Sequence, residues 1–134
     1  MDFAAFIEEF NKRDHFAVNN GVSIVELREG YAMVKLESRE GMKNAYGILH
    51  GGVIFTVADT AAGVCAASFG TNKVTLNSSI NFLSPAYPGV IYAKARIVRN
   101  GKRVSVCEVS VTDKDDTLIA TGTFTMYGTD SIKK

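Results

Sequence analysis

The chain has 134 residues, of which 46% are hydrophobic and 22% charged, and its formal net charge is +1. That length suits one domain with a core of its own and no disulfide staples. The near-zero charge excludes a general attraction to nucleic acid or to an anionic membrane surface, so a phosphate-bearing partner must meet a local basic cluster.

Phe3, Phe6, Ile7 and Phe10 recur at helical spacing. This predicts a short amphipathic helix within residues 1–14 that docks by its phenylalanine face, the alternative being a mobile arm. The same stretch has no apolar run long enough for a signal peptide or a membrane span, so the expectation is a cytoplasmic protein with no membrane partner. Residues 22–27 and 31–37 read as two strands joined by a turn at Glu29-Gly30. A polar, glycine-containing loop follows over 38–49. Residues 52–69 hold many alanines, almost no charge and no proline, which predicts a helix buried on every side.

From Val74 onward the period changes to two. Residues 74–83, 90–99, 103–112 and 118–127 are rich in β-branched side chains and predict four strands. In the second of these, Val90, Tyr92, Lys94 and Arg96 share one face, and Ile91, Ala93, Ala95 and Ile97 the other. Asn100-Gly101 suits a tight hairpin turn with positive φ at both residues, and Lys114-Asp115-Asp116 marks another turn. One apolar helix among six strands predicts an α+β fold in which an antiparallel sheet curls around the helix. Residues 1–134 read as a single domain with a frayed tail at 131–134. Cys65 and Cys107 each sit in an apolar run and read as buried, reduced thiols.

Asp59 stands out in the sequence VIFTVADTAAGVCAA, where an ionised carboxylate loses hydration and needs a partner or a purpose. One reading is a satisfied core aspartate bonded to Thr56 or Thr60; the other is a catalytic base. The small neighbours Ala62, Gly63 and Ala66 allow a substrate or a second helix to approach. Asn44, Gly47, His50, Gly51 and Gly52 crowd the turn into the helix. A helix N-terminus offers unpaired N–H groups and a positive dipole end, so the Gly51 N–H suits a carbonyl oxygen gaining negative charge. The same dipole disfavours an imidazolium at His50, which reads as a neutral ring fixing the loop. Asp59 lies eight positions after Gly51, roughly 12 Å along a helix. If both are catalytic, two chains must share each site, with their helices antiparallel across a two-fold axis.

Two histidines and two cysteines without ligand spacing argue against a metal site, and no nucleophile elbow, P-loop or dinucleotide fingerprint occurs. A carboxylate, an oxyanion donor and a loop amide remain, and they suit attack by water on an activated acyl group.

The run N-A-Y-G-I-L-H-G-G-V-I-F-T-V-A-D over residues 44–59 resembles the hotdog-fold acyl-CoA thioesterases of the phenylacetate-degradation type, including the thioesterase superfamily member 2 branch. I-N-F-L-S-P-A at 80–86, N-G-K at 100–102 and A-T-G at 120–122 extend the likeness over nearly the whole chain. The resemblance implies a sheet wrapped around one long helix, and Gly51 donating its N–H to the thioester carbonyl with help from Asn44. It implies Asp59 of a neighbouring subunit as base or nucleophile, with His50 orienting the loop. Thr75 falls where some relatives place a serine that positions the water, and this is a departure. Gly52, Tyr46, Ser84 and Pro85 are implied at the substrate, and Arg99, Lys102 and Arg103 at the coenzyme A phosphates. Met42, Tyr46, Leu49 and Phe55 are candidates for the acyl pocket. Implied too are an acyl-CoA substrate, a homodimer assembled into a homotetramer, and no cofactor beyond the coenzyme A moiety of the substrate. A non-catalytic acyl-CoA-binding module and, less attractively, an enoyl-CoA hydratase are the alternatives.

Overall fold

The computed structural model describes residues 1–129. The tail expected at 131–134 lies outside the described residues. Two helices open the chain, α1 (Phe3–Arg13) and the short α2 (His15–Asn19). Strands β1 (Val22–Arg28) and β2 (Tyr31–Glu37) follow, then a single 3₁₀ turn (Glu40–Met42) and the long helix α3 (Gly51–Ala67). The chain ends in β3 (Lys73–Phe82), β4 (Val90–Asn100), β5 (Val104–Asp113) and β6 (Leu118–Gly128).

The N-terminal segment is two helices where one was expected. Asp14 causes the break: its backbone N–H closes α1 on the Phe10 carbonyl, while its carboxylate accepts from the Ala17 N–H and starts α2. The six strands form one antiparallel sheet in the order β1-β2-β4-β5-β6-β3. Its inner face packs on α3, as the alternation in β4 predicts: Ile91, Ala93 and Ala95 are buried, while Lys94 and Arg96 face water. Alanines on α3 let the sheet close tightly, and Phe124 fills the space left over. Burying that one side chain is worth about 2–3 kcal/mol. Cys65 on α3 and Cys107 on β5 are buried free thiols. The Cys107 thiol beside it, and burial, push the Cys65 thiol well above the ordinary range.

Two expectations need correction. First, α3 is not buried on every side. Ile54, Val57, Ala58, Ala61, Val64 and Cys65 are buried, but Thr56, Asp59, Thr60, Gly63 and Ala67 form a half-buried stripe, with Gly52 exposed at its start, that the described residues cover only in part. A sheet wraps only the side of a helix it faces, and residues three and four apart hold the opposite side together. Second, the β4–β5 hairpin does not turn on positive φ at Asn100 and Gly101, since neither adopts it. Asn100 ends β4 opposite Ser105, and the reversal runs through residues 101–104, closed by Gly101 N–H to the Val104 carbonyl at 2.9 Å. Glycine is needed there for space, because a Cβ would lie 2.5 Å from the Val104 oxygen.

The two sheet edges differ. β1 is covered: the Asn11 side chain of α1 accepts from the Ile24 N–H at 2.9 Å and donates to the Ile24 carbonyl at 3.4 Å, beside a bulge between Ile24 and Glu26. β3, ten residues long, pairs only with β6 among the described residues, and Val74, Leu76 and Phe82 on it are exposed. A long open edge with apolar side chains is a template for another strand.

Candidate active site

The loop before α3 is built around Asn44. Its Oδ1 accepts from the Tyr46 N–H at 2.9 Å and from the Ile48 N–H at 3.3 Å, and its backbone N–H donates to the Ile48 carbonyl at 2.7 Å. Gly47 takes φ +81° inside this turn, a conformation that glycine adopts without strain. The side-chain amide oxygen is therefore spent on the loop, and the Nδ2 donor is what remains for a ligand.

His50 is the N-cap of α3. Its Nδ1 accepts from the Gly52 N–H at 2.9 Å, which requires a neutral ring with its proton on Nε2. A Cβ at Gly52 would stand 3.1 Å from that nitrogen, so glycine at 52 is what admits the ring. The Val53 and Ile54 N–H groups both donate to the His50 carbonyl. Among the described residues this leaves one N–H of the first helical turn without an acceptor, that of Gly51. It opens on a hollow of about 390 Å³ lined by Asn44, Gly51, Ile54, Phe82, Ser84 and Pro85.

Asp59 lies two turns further on, in the half-buried stripe. The hydroxyls of Thr56 and Thr60 do not reach it, because they donate back to the carbonyls of Gly52 and Thr56 in the helix. The partner is Thr75 on β3, whose Oγ1 donates to Asp59 Oδ1 at 2.5 Å. That pair borders a second and larger hollow, about 800 Å³, walled by Phe6, Phe10 and Phe16 of the N-terminal helices on one side and by Lys73, Val74 and Thr75 on the other. Phe55 joins this hollow and packs on Phe124 at a ring-centroid distance of 5.7 Å.

The expected site residues therefore fall into separate groups. Asn44, Gly51, Ser84 and Pro85 come together, with Leu49 beneath them; Asp59, Thr75 and Phe55 come together elsewhere. Met42, His50 and Gly52 line a third, smaller recess. Tyr46 projects into solvent, 88% exposed, and lines none of these hollows. Arg99, Lys102 and Arg103 sit exposed at the β4–β5 hairpin, outside all three hollows, and no ion pair among the described residues engages them. Sequence reasoning missed Lys73, Phe82 and the phenylalanines of the N-terminal helices as lining residues. The helical spacing of Phe6 and Phe10 was legible, but it reads equally well as a docking face.

Residues 46–120 match the Thioesterase superfamily. The 1,4-dihydroxy-2-naphthoyl-CoA hydrolase of Listeria monocytogenes is 33% identical over 102 residues, covering 74% of this chain and 83% of that protein. The structure of the Escherichia coli PaaI protein, from the phenylacetic acid degradation operon, superimposes with a TM-score of 0.86 at 26% identity, covering 90% of this chain and 88% of that one. A hypothetical thioesterase protein of Streptococcus pneumoniae, solved with coenzyme A, is 33% identical with a TM-score of 0.76, covering 81% and 88%. That protein has also been solved with an aspartate, and separately a threonine sixteen positions later, replaced by alanine. By family match, fold and relatives alike, the chain belongs to the Thioesterase superfamily as a PaaI-like thioester hydrolase with the hotdog fold.

Proposed function

We propose that the chain hydrolyses the thioester of a small or medium acyl-CoA, aromatic acids included, in a homodimer whose two active sites each draw on both chains. The observation that carries this reading is the hydrogen bond from Thr75 to Asp59, which fixes a carboxylate in an apolar helix beside an open hollow. The sixteen-residue spacing between Asp59 and Thr75 equals that between the two residues replaced in the pneumococcal relative.

In this reading the thioester carbonyl sits at the start of α3. The Gly51 N–H, aided by the dipole of α3 and by Asn44 Nδ2, takes up the charge that grows on its oxygen. Asp59 of the second chain either removes a proton from the attacking water or attacks the carbonyl carbon itself. Thr75 keeps the carboxylate oriented, and its own oxygen retains acceptor capacity toward water. The tetrahedral intermediate collapses with loss of the coenzyme A thiolate, which takes up a proton. Attack by water yields the acid at once, whereas attack by Asp59 yields a mixed anhydride that a water then hydrolyses to the acid and free carboxylate. His50 holds the oxyanion loop without transferring a proton.

The open edge of β3 supports the dimer. Thr75 stands near one end of that strand and Phe82, beside Gly51, at the other, seven residues or roughly 23 Å apart. Pairing two β3 strands antiparallel about a two-fold axis exchanges these ends, so the Asp59 hollow of one chain meets the Gly51 hollow of the next. Arg99, Lys102 and Arg103 remain the candidates for the nucleotide phosphates, and two such dimers would make the tetramer. Asp59→Asn tests the reading: thiol release from acyl-CoA should disappear while melting and oligomeric state stay put. Full activity in that variant would refute the mechanism. Acyl-CoA binding by calorimetry without thiol release from the unaltered protein would make the chain a binding module instead.

A further inference from the structure

The hollow beside Asp59 is much larger than a carboxylate and one water require. Its floor is the half-buried side of α3, which runs on from Asp59 through Gly63 to Ala67, eight positions or roughly 12 Å. One wall is the start of β3. The other is supplied by the N-terminal helices: Phe6 and Phe10 stack with centroids 6.5 Å apart, and Phe16 beyond them is 64% exposed. No residue of α1 is fully buried, although its phenylalanine face packs toward the core. Those rings face a space that the described residues leave unfilled. Gly63 keeps the floor low at mid-length: a Cβ there would touch nothing but the end of Met126, at 3.8 Å.

From this we infer that the trough is the acyl-chain site, and that α1 and α2 form its specificity-determining wall. The occupant is an unbranched apolar acyl chain that starts at the carbonyl near Asp59 and extends past Gly63. The inference rests on the hydrolase reading above for the position of the carbonyl. Length favours a chain over a compact acid, because a single ring or an acetyl group leaves the Gly63–Ala67 half empty. Phe6, Phe10 and Phe16 set how much length is rewarded, which makes the N-terminal segment the part of the fold that selects the substrate.

The test separates tail binding from turnover. Thiol release from butanoyl-CoA by the unaltered protein, against Asp59→Asn, decides the hydrolase reading alone. Calorimetric binding of butanoyl-, hexanoyl- and decanoyl-CoA to the Asp59→Asn protein then decides the trough. Affinity should rise by up to about fourfold per methylene along the series. A second change, Gly63→Leu, adds bulk to the floor at a site where an added Cβ makes one ordinary contact, with Met126 Cε at 3.8 Å, and should cut the decanoyl-to-butanoyl ratio by at least roughly tenfold. Phe10→Ala, which widens the trough from the opposite wall, should also lower that ratio and does so whether or not Gly63→Leu folds. Equal affinity across the series, or a ratio untouched by both changes, overturns the inference. So does loss of the dimer on sedimentation of Gly63→Leu with the ratio unchanged, since the trough is then a contact between chains.

Discussion

Replacing Gly51 by proline should remove one N–H group and little else. Gly51 is the first residue of α3, where proline's fixed φ and missing donor suit a helix. The preceding residue already has φ −64° and ψ 143°, the extended conformation a following proline requires. A carbon added at position 51 meets the Phe82 ring at 3.7 Å, an ordinary contact. Because the Gly51 N–H has no acceptor among the described residues, folding loses no hydrogen bond there, and stability should change by no more than about 1 kcal/mol. Catalysis should suffer far more: one missing oxyanion donor costs roughly 10²–10³ in kcat, about 2.7–4 kcal/mol of barrier. Thiol release from acyl-CoA, alongside a thermal melt, measures both. The variant also tests whether sites are shared. Refolded together with equal Asp59→Asn chain, half the dimers pair one of each, and every hybrid holds one site with both lesions and one with neither. About one quarter of the unaltered activity should return. An unchanged kcat in Gly51→Pro, or an inactive mixture of two folded dimeric variants, refutes the reasoning.

Thr75→Val should lower kcat about 10- to 100-fold, the worth of a hydrogen bond to a charged group, while Thr75→Ser should restore most of it; steady-state kinetics on both variants checks this. His50→Ala removes the side-chain cap of α3 and should cost about 0.5–2 kcal/mol in denaturant unfolding, with a fall in kcat because the oxyanion loop loosens. Ser68 is buried and bridges the end of α3 to the β1–β2 turn, accepting from the Gly30 N–H at 2.8 Å and donating to the Cys65 carbonyl at 2.6 Å. Ser68→Ala leaves the Gly30 donor without that partner and should cost about 1–3 kcal/mol, read from the same unfolding curves. The Cys65 thiol, held neutral and covered, should resist alkylation at neutral pH until denaturant is added, as mass spectrometry of iodoacetamide-treated protein will show.

The strands were legible because burial writes itself into them with a period of two, and β4 shows it residue by residue. The β4–β5 turn was misread because Asn-Gly matches the chemistry of a two-residue turn, whereas the ladder pairs Ile97 with Cys107 and Asn100 with Ser105, which keeps Asn100 in the strand and places the reversal after it. The break at Asp14 was hidden for a different reason. An aspartate after a basic helix end is common surface composition, and only its two hydrogen bonds reveal that it closes one helix and opens the next.

The apolar helix shows where composition stops being informative. Alanine, glycine and threonine fill α3 nearly all round, so its sequence cannot say which side the sheet covers and which stays open. Asp59 was the one asymmetric mark, and it lies on the open side, paired to a residue sixteen positions away that no local pattern connects to it. Spacing alone separated Gly51 from Asp59 along the helix; the structure adds that the two face different hollows, with β3 running from one to the other along an unpaired edge. A hydrolase that needs both groups at one carbonyl therefore cannot complete its site within a single chain of this fold. On the proposed mechanism, a second chain pairing along that open edge would supply the exchange of ends.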